Sequence, residues 1–210
     1  MLISKKMLVD MLSHTANLWL MNADQLNEID SRFGDGDHGI TIGKIARAMQ
    51  GAVQNVELKS ISELIESLSY SIMGISGGSA GSLYGTFIGG LGVPLGKEEE
   101  IDGSLLKEMF QGSYDEMKTI TKATVGDKTM MDALIPAVEA AVANDGDIAE
   151  ILSAAAKAAK GGATYSESVA SKFGRARIYG DETIGTPDAG AISTSLFFQG
   201  LYEGFLNHSK

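Results

Sequence analysis

Apolar residues recur at helical spacing along almost the whole chain, whereas the alternation typical of strands is nearly absent. Residues three and four positions apart lie on one face of a helix, so this spacing predicts amphipathic helices packed on a common core. Three stretches carry the pattern most clearly: Leu8, Met11, Leu12, Leu18 and Trp19; Ile42, Ile45, Ala46, Met49 and Val53; Ile61, Leu64, Ile65, Leu68 and Ile72. The same spacing predicts helices over about 104–120, 128–144, 147–160, 163–172 and 190–206, which makes roughly eight or nine helices and an all-α fold.

Two local signals refine these helices. Ser60 with Glu63 three residues on forms a capping box, which can satisfy two amides at the start of a helix. Pro136 lies inside an apolar helical stretch, where its missing amide and its ring predict a bend but not a break. The 210 residues contain no internal repeat and no low-complexity linker, so we expect a single helical domain over 1–210.

Charge balance and composition exclude several classes of function. The net charge is −10 and no run of Lys or Arg exceeds two residues, so the basic surface needed to bind a nucleic acid is missing. The chain has no cysteine, which excludes disulfides and thiolate metal sites and suits a reducing cytosol. Asp10, His14 and Asn17 interrupt the apolar N-terminal run, so we predict no signal sequence, no membrane span and a cytoplasmic location.

The segment 29–39, with the sequence IDSRFGDGDHG, concentrates the chemistry of the chain. It places Asp30, Asp35 and Asp37, the imidazole of His38 and three glycines immediately before a predicted helix. Three carboxylates so close together repel one another, and a hard divalent cation between them relieves the repulsion. Mg²⁺ prefers such oxygen ligands and usually keeps phosphate oxygens and water in its shell, so the segment predicts a metal–phosphate site. The amides at the start of the next helix, near His38 to Thr41, would face the anion.

Two other interpretations compete for this segment. A calcium loop of the EF-hand kind needs glycine at its sixth position and glutamate at its twelfth, and counting from Asp35 these positions hold Ile40 and Ala46. That interpretation is excluded. An Asx-rich turn that only caps a helix remains an alternative, and His38 could simply form a local hydrogen bond.

A second glycine cluster, 76–82, also precedes an apolar helix. Its amides and hydroxyls can contact a phosphate, but it is not a P-loop, because no Gly-Lys-Ser/Thr ends it and no parallel sheet precedes it. The glycines that follow at 85, 89, 90 and 92 favour close packing of helices or loosen a helix end.

A third loop, 174–190, brings two arginines into an otherwise acidic chain. Arg175 and Arg177 have the planar, bidentate donors that suit a phosphate. The alternative is a surface salt bridge to Asp181 or Glu182. The short segment 126–130, with the sequence GDKTM, is also compatible with a plain helix start capped by Asp127.

Together, the four segments resemble the nucleotide-binding L subunit of dihydroxyacetone kinase over nearly the whole chain. The resemblance lies in GDGDHG at 34–39 with Asp30 before it, GDKTM at 126–130, and the GRA and IG elements of the loop at 174–185. It implies an antiparallel barrel of about eight helices with the nucleotide site at one end. The chain departs from the family in reading GGSAGSLYG for the usual GGASGPLYG and Asp-Ala-Gly at 188–190 for the usual DPG, and in carrying Arg177.

The resemblance also implies the site residues. Asp30, Asp35 and Asp37 would bind two Mg²⁺ ions that bridge the phosphates of ADP, with ATP as the alternative nucleotide. The contacts to the nucleotide would come from ten residues along the chain: His38, Gly39, Thr41, Gly78, Ser79, Thr121, Met130, Arg175, Asp188 and Gly190. No catalytic side chain is predicted in this chain.

The function implied is that of a phosphoryl-carrying kinase subunit. ADP would pass a phosphoryl group to dihydroxyacetone held on a separate K subunit and would be rephosphorylated by a phosphotransferase-system protein. The alternatives are an ATP-dependent kinase subunit, a nucleotide-sensing regulatory module that transfers nothing, and a purely structural helical domain.

Overall fold

Helices dominate the computed structural model, which describes residues 2–54, 60–76 and 78–208. Over this part of the chain nine α-helices follow one another: α1 (Lys5–Met21), α2 (Ala23–Ser31), α3 (His38–Val53), α4 (Ile61–Met73), α5 (Ala80–Gly92), α6 (Gly103–Ile120), α7 (Met131–Val142), α8 (Ile148–Tyr165) and α9 (Ala189–His208). Two short strands, β1 (Ile3–Ser4) and β2 (Glu100–Ile101), pair antiparallel with Ile3 opposite Ile101. Within the described ranges, no helix has both the length and the apolar character needed to cross a bilayer.

Eight of the helices form a closed ring. Helix α1 packs on α3, each helix from α3 to α8 packs on the next, and α9 packs back on α1. The short helix α2 packs against α3 outside this sequence of neighbours. The predicted all-α class and the antiparallel barrel of about eight helices are therefore confirmed. Aromatic side chains fill the interior, with Trp19, Phe87, Phe197 and Phe198 all buried and their rings in edge or tilted contact.

The up-and-down order of the ring decides where the connections lie. Because successive helices run in opposite directions, every second connection falls at the same end. The connections 32–37, 74–79, 121–130 and 166–188 share one end, and 93–102 and 143–147 lie at the other, together with the β1–β2 pair. The segments singled out from the sequence are thus gathered at one end, here called the site end. The other is called the capped end, because the helices that start there, α1, α4, α6 and α8, each have an N-cap side chain that accepts a backbone amide.

Close helix packing explains the glycines of α5. A Cβ atom at Gly90 would lie 2.5 Å from Ser113 Cα of α6, and one at Gly85 would lie 2.4 Å from Met73 Cγ of α4. Any side chain at these two positions would push the neighbouring helices apart. The packing role predicted for these glycines is confirmed.

Most predicted helices are present with small shifts of their ends. The capping box of Ser60 and Glu63 is formed at the start of α4. Helix α7 continues through Pro136, as expected, while the predicted bend stays a prediction. Helix α2 was not predicted, because Leu26 is its only buried residue and so it carries almost no apolar pattern.

The helix predicted over 163–172 is wrong. Helix α8 continues to Tyr165, a short 3-10 turn covers Ser166–Ser168, and the chain is extended at Val169. Backbone groups of this segment bond to other parts of the molecule, since Ser171 N donates to Thr183 Oγ1 and Lys172 N donates to the carbonyl of Asp127. Tertiary hydrogen bonds have replaced the helical ones that the local sequence favours.

Candidate functional site

A cavity of about 400 Å³ opens at the site end of the barrel. All four connections of that end and the starts of α3, α5, α7 and α9 contribute to its wall. It is lined by twelve of the thirteen residues proposed from the sequence: Asp30, Asp35, Asp37, His38, Thr41, Gly78, Ser79, Thr121, Met130, Arg175, Asp188 and Gly190. The structure therefore brings residues from distant parts of the chain to one place.

Gly39 is the residue that does not line the cavity. It is buried in the first turn of α3, and a Cβ atom there would lie 1.8 Å from the carbonyl oxygen of Ala23 in α2. Helices α2 and α3 approach closely at this point, so Gly39 allows the contact that places Asp30 beside the start of α3. Gly77, within the second glycine cluster, lies outside the described residues.

The aspartate triad converges on a single point. Asp30 lies in the last turn of α2, Asp37 directly precedes α3, and each of Asp30, Asp35 and Asp37 offers a carboxylate oxygen, all within 4.8 Å of one another. A Cβ atom at Gly34 would lie 2.3 Å from Asp30 Oδ1, and Gly36 has a φ of 73°. The glycines therefore give the connection its tight path around the carboxylate of Asp30.

The charges of the triad are only partly compensated by the protein. Burial, then the charges of Asp35 and Asp30, raise the pKa of Asp37. Asp37 stands at the N-cap of α3, yet its side chain accepts no capping hydrogen bond. The Asx-turn alternative required that cap. Carboxylate oxygens left available and mutually repulsive fit a hard divalent cation.

His38 faces the cavity from the first turn of α3 and is tied to α9. Its Nε2 lies 2.8 Å from Ser193 Oγ, a partner 155 residues away, so the bond is not the local one considered as an alternative. Burial lowers the pKa of His38 to about 4, against the attraction of Asp30. The imidazole is therefore neutral at physiological pH.

The long connection 166–188 folds over the triad. Arg175 forms an ion pair with Asp35, and not with Asp181 or Glu182 as the alternative proposed. The ring of Tyr179 packs 5.3 Å from that of Phe33, centroid to centroid, in the connection that carries the triad. These contacts join the arginine loop to the segment that carries the aspartate triad, across one side of the cavity.

Asp188 closes the wall of the cavity at the start of α9. Its Oδ2 accepts a hydrogen bond of 2.7 Å from Ala191 N, which makes it the N-cap of that helix. Desolvation raises the pKa of its carboxyl to about 7, with Asp132 and Asp30 adding to the shift and Lys128 opposing it. Ala189, where the family has proline, is the first residue of α9, a position at which proline and alanine are both accepted.

A family model described as the DAK2 domain matches residues 32–203 of the chain. The chain belongs to the DAK2 domain family. It is 32% identical over 184 residues to the Listeria innocua protein named PEP-dependent dihydroxyacetone kinase 2, ADP-binding subunit DhaL. That match covers 86% of this chain and 85% of the relative, so the two proteins are similar over nearly their full lengths.

Two further relatives of this DAK2 domain are much longer. L-erythrulose kinase of Pectobacterium atrosepticum is 31% identical over 195 residues, which cover 90% of this chain and 33% of that protein. The crystal structure of the dihydroxyacetone kinase from C. freundii in complex with AMP-PNP and Mg²⁺ matches with a TM-score of 0.71 and 25% identity, over 93% of this chain and 33% of that one. The chain thus spans about a third of the length of these two relatives.

Sequence reasoning missed the residues that hold the loops of the cavity wall together through buried hydrogen bonds. Lys128 is buried and has a φ of 59°, and its Nζ donates to the carbonyls of Ser166 at 2.6 Å and Val169 at 3.0 Å. A buried lysine in a left-handed conformation is costly, and it persists only where its surroundings require it. Lys128 therefore ties the GDKTM segment of this DAK2 domain to the connection 166–188.

Two aspartates near Lys128 serve the same wall. The carboxylate of Asp132 accepts the amides of Gly126 and Thr129, each at 2.7 Å. Asp127 caps no helix, contrary to the alternative considered for GDKTM; it pairs with Lys172 at 2.8 Å. An acidic residue near the start of the helix predicted over 128–144 was the available signal for Asp132, but its buried position was not visible in the sequence.

The missed apolar residues line the cavity beside Thr121 and Met130: Leu83, Met117, Ala123, Met131 and Phe173. Leu83, Met117 and Met131 lie in predicted helices, and nothing in their apolar spacing distinguishes a side chain at the open end of the barrel from one in its centre. Ala123 and Phe173 lie outside the predicted helices, and no pattern marks them.

Proposed function

We propose that the whole chain, 1–210, is one nucleotide-binding domain that binds ADP with two Mg²⁺ ions and serves as the phosphoryl-carrying subunit of a dihydroxyacetone kinase. The observation that carries the proposal is the convergence of the aspartate triad, Arg175 and the starts of four helices on one cavity. The near full-length similarity to a protein named as an ADP-binding subunit supports it.

Each wall of the cavity would have its own task. Asp30, Asp35 and Asp37 would hold the metal ions, and bound Mg²⁺ would neutralise the phosphate charge. Arg175, released from Asp35 or shared with it, would contact a phosphate oxygen. The site-end amides of α3 and α5, with the side chains of Thr41 and Ser79 and the backbone of His38 and Gly78, would orient the phosphate chain. Gly39 would act through packing alone.

The adenine would lie against the inner, apolar part of the cavity. Thr121 and Met130 stand at its edge, and the neighbouring Leu83, Met117 and Met131 offer apolar surface to a flat ring. Asp188 and Gly190 would complete the pocket at the start of α9. Enclosure by these walls would exclude water from the phosphoryl group, which would otherwise be lost by hydrolysis.

In the proposed reaction a hydroxyl oxygen of dihydroxyacetone bonds to the terminal phosphorus, the bond from that phosphorus to the ADP oxygen breaks, and the hydroxyl proton leaves with a base of the acceptor's own site. The acceptor would be held on a separate K subunit, since no side chain of this cavity is proposed as a nucleophile. A phosphotransferase-system protein would then phosphorylate ADP in place, and the cytoplasm is the proposed location. ATP as an exchangeable donor is the alternative, supported by the nucleotide named in the C. freundii structure.

The first experiment identifies the nucleotide and the donor. Native mass spectrometry of the purified protein is expected to show retained ADP. Transfer to dihydroxyacetone is then assayed with a K subunit and either ATP or the phosphorylated phosphotransferase-system protein. If nucleotide binds and neither donor supports transfer, the kinase proposal is lost and a nucleotide-sensing module takes its place.

The second experiment tests the triad by substitution. ADP with Mg²⁺ at about 100 times its Kd is expected to stabilise the wild type by about 2.7 kcal/mol, and Asp35→Asn is expected to abolish most of this because the metal loses a charged ligand. Asp147→Asn is the matched control, since Asp147 caps α8 at the capped end and asparagine caps equally well. Thermal shift with and without EDTA measures both. No stabilisation of either protein would favour a purely structural domain, and full stabilisation of Asp35→Asn would show that Asp35 does not hold the metal.

A further inference from the structure

A buried chain of hydroxyl groups lies directly behind His38. Ser193 Oγ of α9 is 2.8 Å from His38 Nε2 and 2.7 Å from the hydroxyl of Tyr84 in α5, and Tyr84 is in turn 2.9 Å from Thr194 Oγ1. Trp19 of α1 donates to the carbonyl of Ser193 at 2.8 Å. Four helices of the barrel therefore meet at Ser193, and nothing in the proposed nucleotide contacts uses this network.

The direction of each hydrogen bond follows from the acceptors around Ser193. Its Oγ lies 2.9 Å from the carbonyl oxygen of Ala189 and 3.1 Å from that of Gly190, and carbonyl oxygens only accept. If the hydroxyl proton of Ser193 points to these carbonyls, its Oγ accepts from His38 Nε2, which then carries a proton. Tyr84 can donate to Ser193 Oγ or to the carbonyl oxygen of Gly190, which lies 3.3 Å from its hydroxyl.

The other ring nitrogen of His38 opens onto the cavity. Among the described residues, no protein group is bonded to Nδ1, and no buried side-chain nitrogen or oxygen lacks a partner. Nδ1 is therefore accessible from the cavity that His38 lines, next to the aspartate triad. With the proton on Nε2, Nδ1 has a free lone pair and acts as an acceptor.

We propose that Ser193 and Tyr84 are positioning residues that hold His38 as its Nε2–H tautomer, so that Nδ1 accepts a hydrogen bond from a water molecule carried by the divalent cation of the site. Mg²⁺ usually keeps several of its waters, and those waters are strong donors that need fixed acceptors. This step rests on the proposed nucleotide and metal binding, whereas the tautomer and its cause are properties of the protein alone.

The tautomer is tested by NMR of protein labelled with ¹⁵N-histidine. The chain has three histidines, and His38→Gln assigns the signal of His38 by its disappearance. The wild type is expected to show the proton on Nε2 of His38, and Ser193→Ala is expected to lose this fixed state. The matched control is Ser195→Ala, since Ser195 lies on the same helix and its hydroxyl donates to the carbonyl of Ile192, outside the network. A proton on Nδ1 in the wild type overturns the proposal.

The consequence for binding is tested by ADP affinity with Mg²⁺ and with EDTA. Ser193→Ala and Tyr84→Phe are expected to weaken binding in Mg²⁺ by about 3- to 10-fold, the size of one hydrogen bond, and to leave binding in EDTA and the control Ser195→Ala unchanged. His38→Gln, whose amide can donate to Ser193 and also accept, is expected to retain more affinity than the shorter His38→Asn.

The outcomes separate the two proposals. If the wild type shows no Mg²⁺-dependent binding of ADP, the proposed function fails. The NMR result still decides the tautomer of His38. If the wild type binds and Ser193→Ala binds equally well in Mg²⁺, the positioning role is overturned and the proposed function stands. If Ser193→Ala does not fold, Tyr84→Phe provides the same test, because it removes the hydroxyl of Tyr84 and keeps its ring packed in the core.

Discussion

The two ends of the barrel differ in how their helices begin. At the capped end, each of the four helices that start there, α1, α4, α6 and α8, has a side chain that accepts the amide three residues on; these caps are Ser4, Ser60, Asp102 and Asp147. At the site end, α3, α5 and α7 start without a side-chain cap, although Asp37 and Ser79 are residue types that cap well. Asp188 of α9 is the exception.

The difference shows what each end is built for. A side-chain cap satisfies the first amides of a helix and compensates its dipole, which stabilises the fold. Without an N-cap side chain, the helix starts that surround the cavity leave amides for a ligand, although Ile40 N of α3 donates to Asn27 Oδ1 and Met131 N of α7 donates to Thr129 Oγ1. In compensation, the site end carries buried charges, Lys128 and Asp132, which bond to the backbone of its loops. The capped end is stabilised by hydrogen bonds within single helix starts, whereas the site end depends on contacts between loops.

The largest effect is expected from Asp132 at the site end. Asp132→Ala leaves the amides of Gly126 and Thr129 without their acceptor, which is expected to lower the free energy of unfolding by about 3 kcal/mol and to weaken ADP binding. Urea unfolding at pH 7 measures the first effect and calorimetry the second. Asp132→Asn, which keeps one acceptor oxygen, should fall between wild type and Asp132→Ala. If Asp132→Ala lowers the free energy of unfolding by less than the loss of a surface cap does, the two ends are not stabilised in different ways.

A pH-dependent effect is expected from Asp188. Its pKa is raised from 3.8 to about 7, so between these values the folded protein holds a proton that the unfolded chain has released. The contribution of this carboxyl to stability therefore falls as pH rises from about 4 to about 7 and is constant above. Asparagine at this position still caps α9 and carries no charge. The free energy of unfolding of Asp188→Asn, relative to that of wild type, should therefore rise by about 2 kcal/mol across that window.

The measurement for Asp188 is a series of urea unfolding curves from pH 4 to pH 8 for the two proteins. The difference between them is the informative quantity, because other carboxyl groups titrate in the same range in both. A difference that stays flat with pH would show that the carboxyl of Asp188 is as well solvated as the caps of the opposite end.

The smallest effect is expected at the capped end. Asp147→Ala removes the hydrogen bond to the amide of Glu150 and should lower stability by about 1 kcal/mol, with ADP affinity and its Mg²⁺ dependence unchanged. A change in ADP affinity would show that the two ends are coupled. Thermal unfolding and ADP titration of the same preparation give both quantities.

Much of the fold and of the site could be predicted from the sequence, for identifiable reasons. Helical spacing located most of the helices, and the capping box of Ser60 marked a helix start that the structure confirms. The triad and the glycine and arginine loops carry unusual residue types, and twelve of the thirteen residues proposed from the sequence lie around one cavity. Gly39 was proposed for the cavity because glycine can serve a ligand or a helix contact, and sequence alone does not separate the two.

The residues that were missed have ordinary local patterns. Lys128 and Asp132 stand in a segment that looks like a simple helix start. The role of Lys128 comes from partners about 40 residues away, and that of Asp132 comes from its burial against the amides of its own loop. Local spacing predicts a helix over 163–172, but the hydrogen bonds that Ser171 N and Lys172 N donate to Thr183 and Asp127 decide the path of this segment.

By itself, the sequence of this DAK2 domain determined the all-α class, the helix starts with side-chain caps and the chemical character of the triad, because these depend on neighbours within a few residues. Only the tertiary structure decided that alternate connections share one end, that Arg175 pairs with Asp35, and that His38 is held by Ser193 and Tyr84. Those features depend on the closure of the helical ring, which brings together side chains more than 100 residues apart in sequence.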